Sequence, residues 1–203
     1  MDYNELMDRL SDLKVYAKEN YIPIIRDLSA KFLYDYVKSN NIKTVLEIGT
    51  AIGYSGSIMI SAGVERLITC DINGNSLDVA RQTFDKLGIS DRVDVRLQDA
   101  KDLLEELVDA GCKFDMVFLD GAKGQYINYL PNITKLIGTT GVILADNVLL
   151  GGMVEGDDIP PRKKRSMVNN LRKYLARVNE SDYNTEMVKI EDGLAVTRYK
   201  GEK

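Results

Sequence analysis

The chain has 203 residues, 44% hydrophobic and 29% charged, with a formal net charge of -4. Such proportions suit one domain with a well-buried core, and the acidic balance gives no global attraction to nucleic acid or anionic membrane, so a polyanion partner must meet a local basic patch. The chain has no histidine, which excludes Ser-His-Asp and Cys-His nucleophiles and histidine-ligated zinc; two cysteines, Cys70 and Cys112, are too few for a disulfide framework or a thiolate metal site.

The first ten residues are acidic and amphipathic, unlike a signal peptide, and no run approaches transmembrane length, so a cytoplasmic protein is expected. Leu6, Leu10, Leu13 and Ala17 recur at helical spacing and predict an amphipathic helix over 3–19. The apolar segment 21–25 is broken by Pro23, and Leu28, Phe32, Leu33, Tyr36 and Val37 mark a second helix ending near Asn40. Residues 44–55, T-V-L-E-I-G-T-A-I-G-Y-S, then read as strand, glycine turn and helix start, the junction at which an α/β sheet presents backbone N–H groups to a ligand.

The turn glycines, Gly49 and Gly53, are spaced G-x-x-x-G. That is neither the dinucleotide fingerprint nor the phosphate loop, so a phosphate ligand loses support. Glu47 precedes the turn, and Asp71 closes the next apolar run, L-I-T-C-D, where an acid commonly grips ribose hydroxyls. Together they describe a pocket for a nucleoside without pyrophosphate, which S-adenosylmethionine fits; ordinary turn glycines are the alternative.

Beyond this junction strands and helices alternate: strand 66–71, helix 76–87, strand 93–97, helix 100–110, strand 114–120, helix 126–137 and strand 141–147. Regular alternation calls for a parallel sheet with helices on both faces. The tail departs from it, because 185–190 and 194–199 flank the turn signal Glu191-Asp192-Gly193 and predict an antiparallel hairpin.

Three predicted strands end in an acid: Asp71, Asp120 and Asp146, the last followed by Asn147. Asp120, Asp146 and Asn147 make an all-oxygen set suited to a hard divalent cation such as Mg²⁺. Helix capping is the alternative, but Asn147 before an apolar V-L-L is a poor helix start. Lys123, between Gly121 and Gly124, can act as a general base beside such a cation, or be a solvated loop lysine. Tyr126 reads as packing for the next helix.

Four stretches, E-I-G-T-A-I-G-Y-S, F-L-D-G-A-K, L-A-D-N-V and E-D-G-L-A-V-T-R-Y-K, together resemble the metal-dependent class I O-methyltransferases of catechol and caffeoyl-CoA type, in the family's order and over nearly the whole chain. The resemblance implies a single Rossmann-like α/β domain over 1–203. Its core, 41–203, would be a seven-stranded, mostly parallel sheet with an antiparallel C-terminal strand and helices on both faces, and 1–40 would cover the site or a homodimer face. It implies S-adenosylmethionine contacts from Glu47, Gly49, Thr50, Ser55, Asp71, Asp99, Ala100 and Asp120. Metal ligation falls to Asp120, Asp146 and Asn147, and catalysis to Lys123 with Asp120.

Within the family, 21–25, D-G-A-K-G-Q-Y, D-N-V-L and P-P-R-K-K-R look most like the bacterial members that methylate 5-hydroxyuridine at the tRNA wobble position. Residues 159–179 hold Arg162, Lys163, Lys164, Arg165, Arg172, Lys173 and Arg177 and no acid, leaving 20 basic residues against 31 acidic in the rest of the chain. That separation is the footprint of a phosphate-binding face, with Arg162, Lys163, Lys164 and Arg165 as the RNA contacts. Met167, Val168, Leu171, Tyr174, Leu175 and Val178 keep a helical period beneath it. A solvated helix face with a small catechol or vicinal diol as acceptor is the alternative, and a non-catalytic nucleoside- or RNA-binding module is a third. The loop 149–161, rich in glycine and proline, is a candidate lid or a plain surface loop.

Overall fold

The computed structural model describes residues 1–156 and 159–201. The helix expected over 3–19 is two, α1 (Tyr3–Arg9) and α2 (Ser11–Glu19), meeting at Leu10. Ser11 Oγ donates to the Asp8 carbonyl at 2.7 Å, a local bond that competes with the helical ladder where it breaks. Leu6, Leu10 and Ala17 are buried as the period requires, and Leu13 only half-buried. Helix α3 (Asp27–Ser39) is capped at Asn40 and buries Leu33 and Val37.

The described chain forms two compact units, 1–100 and 101–203. In the first, β1 (Thr44–Ile48), β2 (Arg66–Asp71) and β3 (Val93–Leu97) pair in parallel with β2 in the middle. Val45, Leu46, Glu47 and Ile48 are all buried, so β1 carries side chains away from water on both faces, as a helix-covered parallel sheet requires. Helices α4 (Tyr54–Ala62) and α5 (Gly74–Leu87) follow β1 and β2 and pack on one another. Helix α6 (Ala100–Asp109) begins where this unit ends.

In the second unit β4 (Met116–Leu119) and β5 (Val142–Ala145) pair in parallel, and all eight residues are buried. Phe114 starts the apolar run yet donates its N–H to the Leu136 carbonyl, so β4 begins two residues later than the apolar pattern alone indicates. Helix α7 (Tyr126–Ile137) packs on β4, β5 and α8 (Arg165–Val178). The C-terminal hairpin is β6 (Tyr183–Val188) and β7 (Leu194–Tyr199); β7 pairs antiparallel with both β5 and β6. β6 starts two residues earlier than its apolar run, because the Tyr183 ring meets the Tyr199 ring at a tilt, centroids 5.3 Å apart, and its hydroxyl lies 2.7 Å from Thr134 Oγ1. The strand order, β3-β2-β1-β4-β5-β7-β6, is the seven-stranded, mostly parallel Rossmann-like sheet expected.

Candidate active site

The turn after β1 is held in a strained shape by its neighbours. Gly49 and Thr50 both donate their N–H groups to the Cys70 carbonyl, at 3.0 and 3.1 Å. Ala51 stands in the left-handed region at φ +44°, which costs an L-residue about 1–2 kcal/mol. Its N–H is taken by Asp71 Oδ2 at 3.0 Å, while Asp71 Oδ1 accepts the Asn73 N–H at 2.9 Å. Asp71 thus ties the turn to the end of β2. Gly53, at φ +80°, closes the turn: a Cβ there would lie 2.8 Å from the Phe84 ring, so backbone and packing both demand glycine.

Glu47 sits beneath this turn, 0% exposed. Its Oε1 accepts Ser55 Oγ–H at 2.5 Å and its Oε2 accepts Thr69 Oγ1–H at 2.6 Å; Thr50 Oγ1 lies 2.6 Å from the Thr69 hydroxyl. Glu47, Thr50 and Ser55, expected to touch the cofactor, are therefore buried braces of the turn, pairing with Thr69, which the sequence did not single out. Gly49, Asp71 and Ala100 are half-buried and Asp99 is exposed. Two further residues at this unit's strand ends were missed: Ile72 and Leu97 are large apolar side chains left 74% and 61% exposed. Their signal was an apolar residue directly after a strand-end acid, and a leucine ending a short strand.

In the second unit Asp120 and Lys123 form a poorly exposed ion pair, Nζ to Oδ1 3.3 Å, with side chains 16% and 18% exposed. Lys123 stands in a 3-10 turn, Lys123–Gln125, held from α8 by Asn170 Nδ2, which donates to the Gly124 carbonyl at 2.8 Å. Asp146, just after β5, is 1% exposed. Its Oδ1 accepts the Asn147 N–H at 2.8 Å, and its Oδ2 is buried without a hydrogen-bond partner. Burial first, and then the Asp120 charge, push the Asp146 carboxyl up to about 7; burial likewise raises Asp120, against the pull of Lys123. Asn147 turns away from a helix start, at φ +56°.

Two low-exposure carboxylates that repel each other, one with an orphaned oxygen, fit a hard divalent cation, which would satisfy that oxygen and relieve the repulsion. Among the described residues no group of three or more acidic or cysteine side chains is placed to hold a metal, so a cation there would need the Asn147 amide beside the two carboxylates.

The segment after Asn147 is tied down at both ends. Val148 and Leu149 donate N–H groups to the Gly193 and Asp192 carbonyls at 3.1 and 2.9 Å. Arg172 of α8 donates to the Val154, Met153 and Gly156 carbonyls at 3.0, 3.1 and 2.5 Å. Asp157 and Asp158, within the candidate lid, lie outside the described residues.

Arg172 is therefore a brace and not part of a basic face, and Arg177 is likewise engaged, bidentate to Asp182 at 2.7 Å with its guanidinium 4.7 Å over the Tyr183 ring. Arg162, Lys163, Lys164, Arg165 and Lys173 are exposed, and among the described residues no acid pairs with them. Beneath them Val168, Leu171, Tyr174 and Val178 are buried, as the helical period predicts.

A nucleoside-type turn on a Rossmann-like sheet and a lysine paired with a strand-end carboxylate define the class: an enzyme that transfers a group from a nucleoside-bearing cofactor. The O-methyltransferase family model matches residues 1–200, and the chain belongs to that family. It is an S-adenosylmethionine-dependent O-methyltransferase of the caffeoyl-CoA and catechol type.

It is 31% identical over 179 residues to caffeoyl-CoA O-methyltransferase 1 of Eucalyptus globulus, covering 83% of this chain and 71% of that protein. It is 35% identical over 127 residues to a catechol O-methyltransferase of Niastella koreensis, covering 61% and 58%. The crystal structure of the O-methyltransferase TomG from Streptomyces achromogenes, involved in tomaymycin synthesis and solved with S-adenosylmethionine, superposes with a TM-score of 0.84 at 26% identity, covering 95% of this chain and 90% of that one. No helix among the described residues is long and apolar enough to cross a membrane.

Proposed function

We propose that the chain methylates 5-hydroxyuridine at the wobble position of tRNA, giving 5-methoxyuridine, with Mg²⁺ or a similar divalent cation held by Asp120, Asp146 and Asn147. The observation that carries the RNA reading is the exposed run Arg162, Lys163, Lys164 and Arg165, which has no acidic partner among the described residues of an otherwise acidic chain. Such a run suits phosphate contacts that position an acceptor without reading its bases.

When bound, the cation supplies Lewis acidity, lowering the pKa of a hydroxyl that sits beside a second oxygen. Both catechols and 5-hydroxyuridine carry that pair of oxygens. Lys123, whose Nζ stands 3.3 Å from Asp120 Oδ1, is the group that takes the hydroxyl proton. The acceptor oxygen then bonds to the methyl carbon as the sulfur–methyl bond breaks, its electron pair remaining on sulfur. The turn at 49–53, braced from below by Glu47, offers its backbone to the methionine end of the cofactor. Asp71 and Asp99 serve the ribose and adenine side, and exposed Ile72 and Leu97 supply apolar surface for a flat base. Tyr21, in the turn after α2, and Leu28 of α3, 93% and 61% exposed, support a self-association face in the N-terminal segment.

A small catechol as acceptor is favoured by the names of the relatives above and uses the same residues. Nucleoside mass spectrometry of hypomodified tRNA, incubated with the enzyme, labelled S-adenosylmethionine and Mg²⁺, separates the two. Labelled 5-methoxyuridine supports the RNA reading. Label entering a catechol but no nucleoside overturns it.

A further inference from the structure

Tyr126, read from the sequence as packing, is the first residue of α7 and is 0% exposed. Its hydroxyl donates at 2.9 Å to the carbonyl of Leu119, the residue before Asp120, and lies 3.5 Å from the carbonyl of Asp146 itself. The same Leu119 carbonyl accepts the Asp146 N–H at 2.9 Å. One hydroxyl, one carbonyl and one amide therefore join the ends of β4 and β5 at the two points where the carboxylates emerge. The ring cannot easily move: Tyr174 of α8 meets it edge-on at 5.7 Å.

We propose that the Tyr126 hydroxyl is a positioning group that sets the separation of the Asp120 and Asp146 carboxylates for a divalent cation. The inference rests on the cation reading above. Outer groups that orient ligands typically change metal affinity 10–100-fold when removed. Here the link runs through backbone, which places the expected effect at the lower end.

Mn²⁺ is titrated into full-length wild type, Tyr126→Phe, Tyr174→Phe and Asp146→Ala, without cofactor or acceptor, and free Mn²⁺ is followed by electron paramagnetic resonance; cooperative melting is confirmed for each. Tyr126→Phe is expected to weaken Mn²⁺ about tenfold, while Tyr174→Phe, which removes a buried hydroxyl from the adjoining helix, stays within twofold of wild type. Tyr126→Phe binding within twofold of wild type overturns the positioning role alone, and so does an equal loss in Tyr174→Phe, which would mark general loosening of the core. Wild type binding Mn²⁺ no more tightly than Asp146→Ala overturns the cation reading, and the inference with it.

Discussion

Replacing Asp146 by asparagine should stabilise the cation-free protein at alkaline pH while removing its response to cation. The carboxyl is 1% exposed and raised from 3.8 to about 7, chiefly by burial. A carboxyl raised on folding leaves stability intact below its unfolded value, and stability falls as the pH climbs from about 4 through 7. That difference corresponds to up to about 4 kcal/mol above pH 7. Asp120 and Asp146 titrate as a pair beside Lys123, so about 2 kcal/mol is the expected share, or about 4–8 °C in melting temperature for a chain of this size. Asparagine keeps the acceptor for the Asn147 N–H and places an uncharged amide where the orphaned oxygen stands.

Melting curves from pH 4.5 to 8 in chelator should show wild type losing stability with rising pH and Asp146→Asn losing much less. Mg²⁺ at about 100 times its dissociation constant should raise wild type by about 2.7 kcal/mol and leave the variant unmoved. A variant that melts below wild type at pH 8 in chelator, or that keeps the full pH slope, would refute the reasoning.

Gly53→Ala combines a left-handed backbone with a Cβ 2.8 Å from the Phe84 ring, and should cost about 2–4 kcal/mol in urea unfolding together with cofactor affinity; a loss under about 0.5 kcal/mol would count against the braced turn. Arg172→Ala frees three carbonyls, so limited proteolysis should cut within 149–156 faster than in wild type while the salt dependence of tRNA binding stays the same. Reversing charge at Lys163 and Lys164 together should lower activity on tRNA more than tenfold and leave turnover of a small catechol within twofold; equal losses on both acceptors would remove the basic run from RNA contact.

The sheet was legible because its signals are local. The bounds of β2 follow from an apolar run closed by Asp71, those of β3 from the short V-D-V-R-L ending at Leu97, and the hairpin turn at 191–193 from its composition. The break at Leu10 was not legible, since it depends on a hydroxyl choosing a carbonyl over solvent. Asp120, Asp146 and Asn147 were visible as polar groups after apolar runs, and Lys123 as a lysine between two loop glycines.

What each polar group touches was harder to read. Arg172 and Arg177 have the composition of a basic face, yet one grips loop carbonyls and the other an aspartate. Glu47 was singled out because it directly precedes the glycine turn; its burial and its partners were not visible there. The Ser55 and Thr69 hydroxyls hold its two oxygens and Thr50 lies against Thr69, and no periodicity encodes that.

O-methylation is proposed to depend on a divalent cation held by Asp120, Asp146 and Asn147. Initial rates of methyl transfer from labelled S-adenosylmethionine, measured in chelator and then with Mg²⁺ restored, test it most directly, with Asp146→Ala carried in parallel. Transfer should be absent in chelator, and Mg²⁺ should restore it in wild type and not in the variant. Undiminished transfer in chelator, or by the variant, would contradict it.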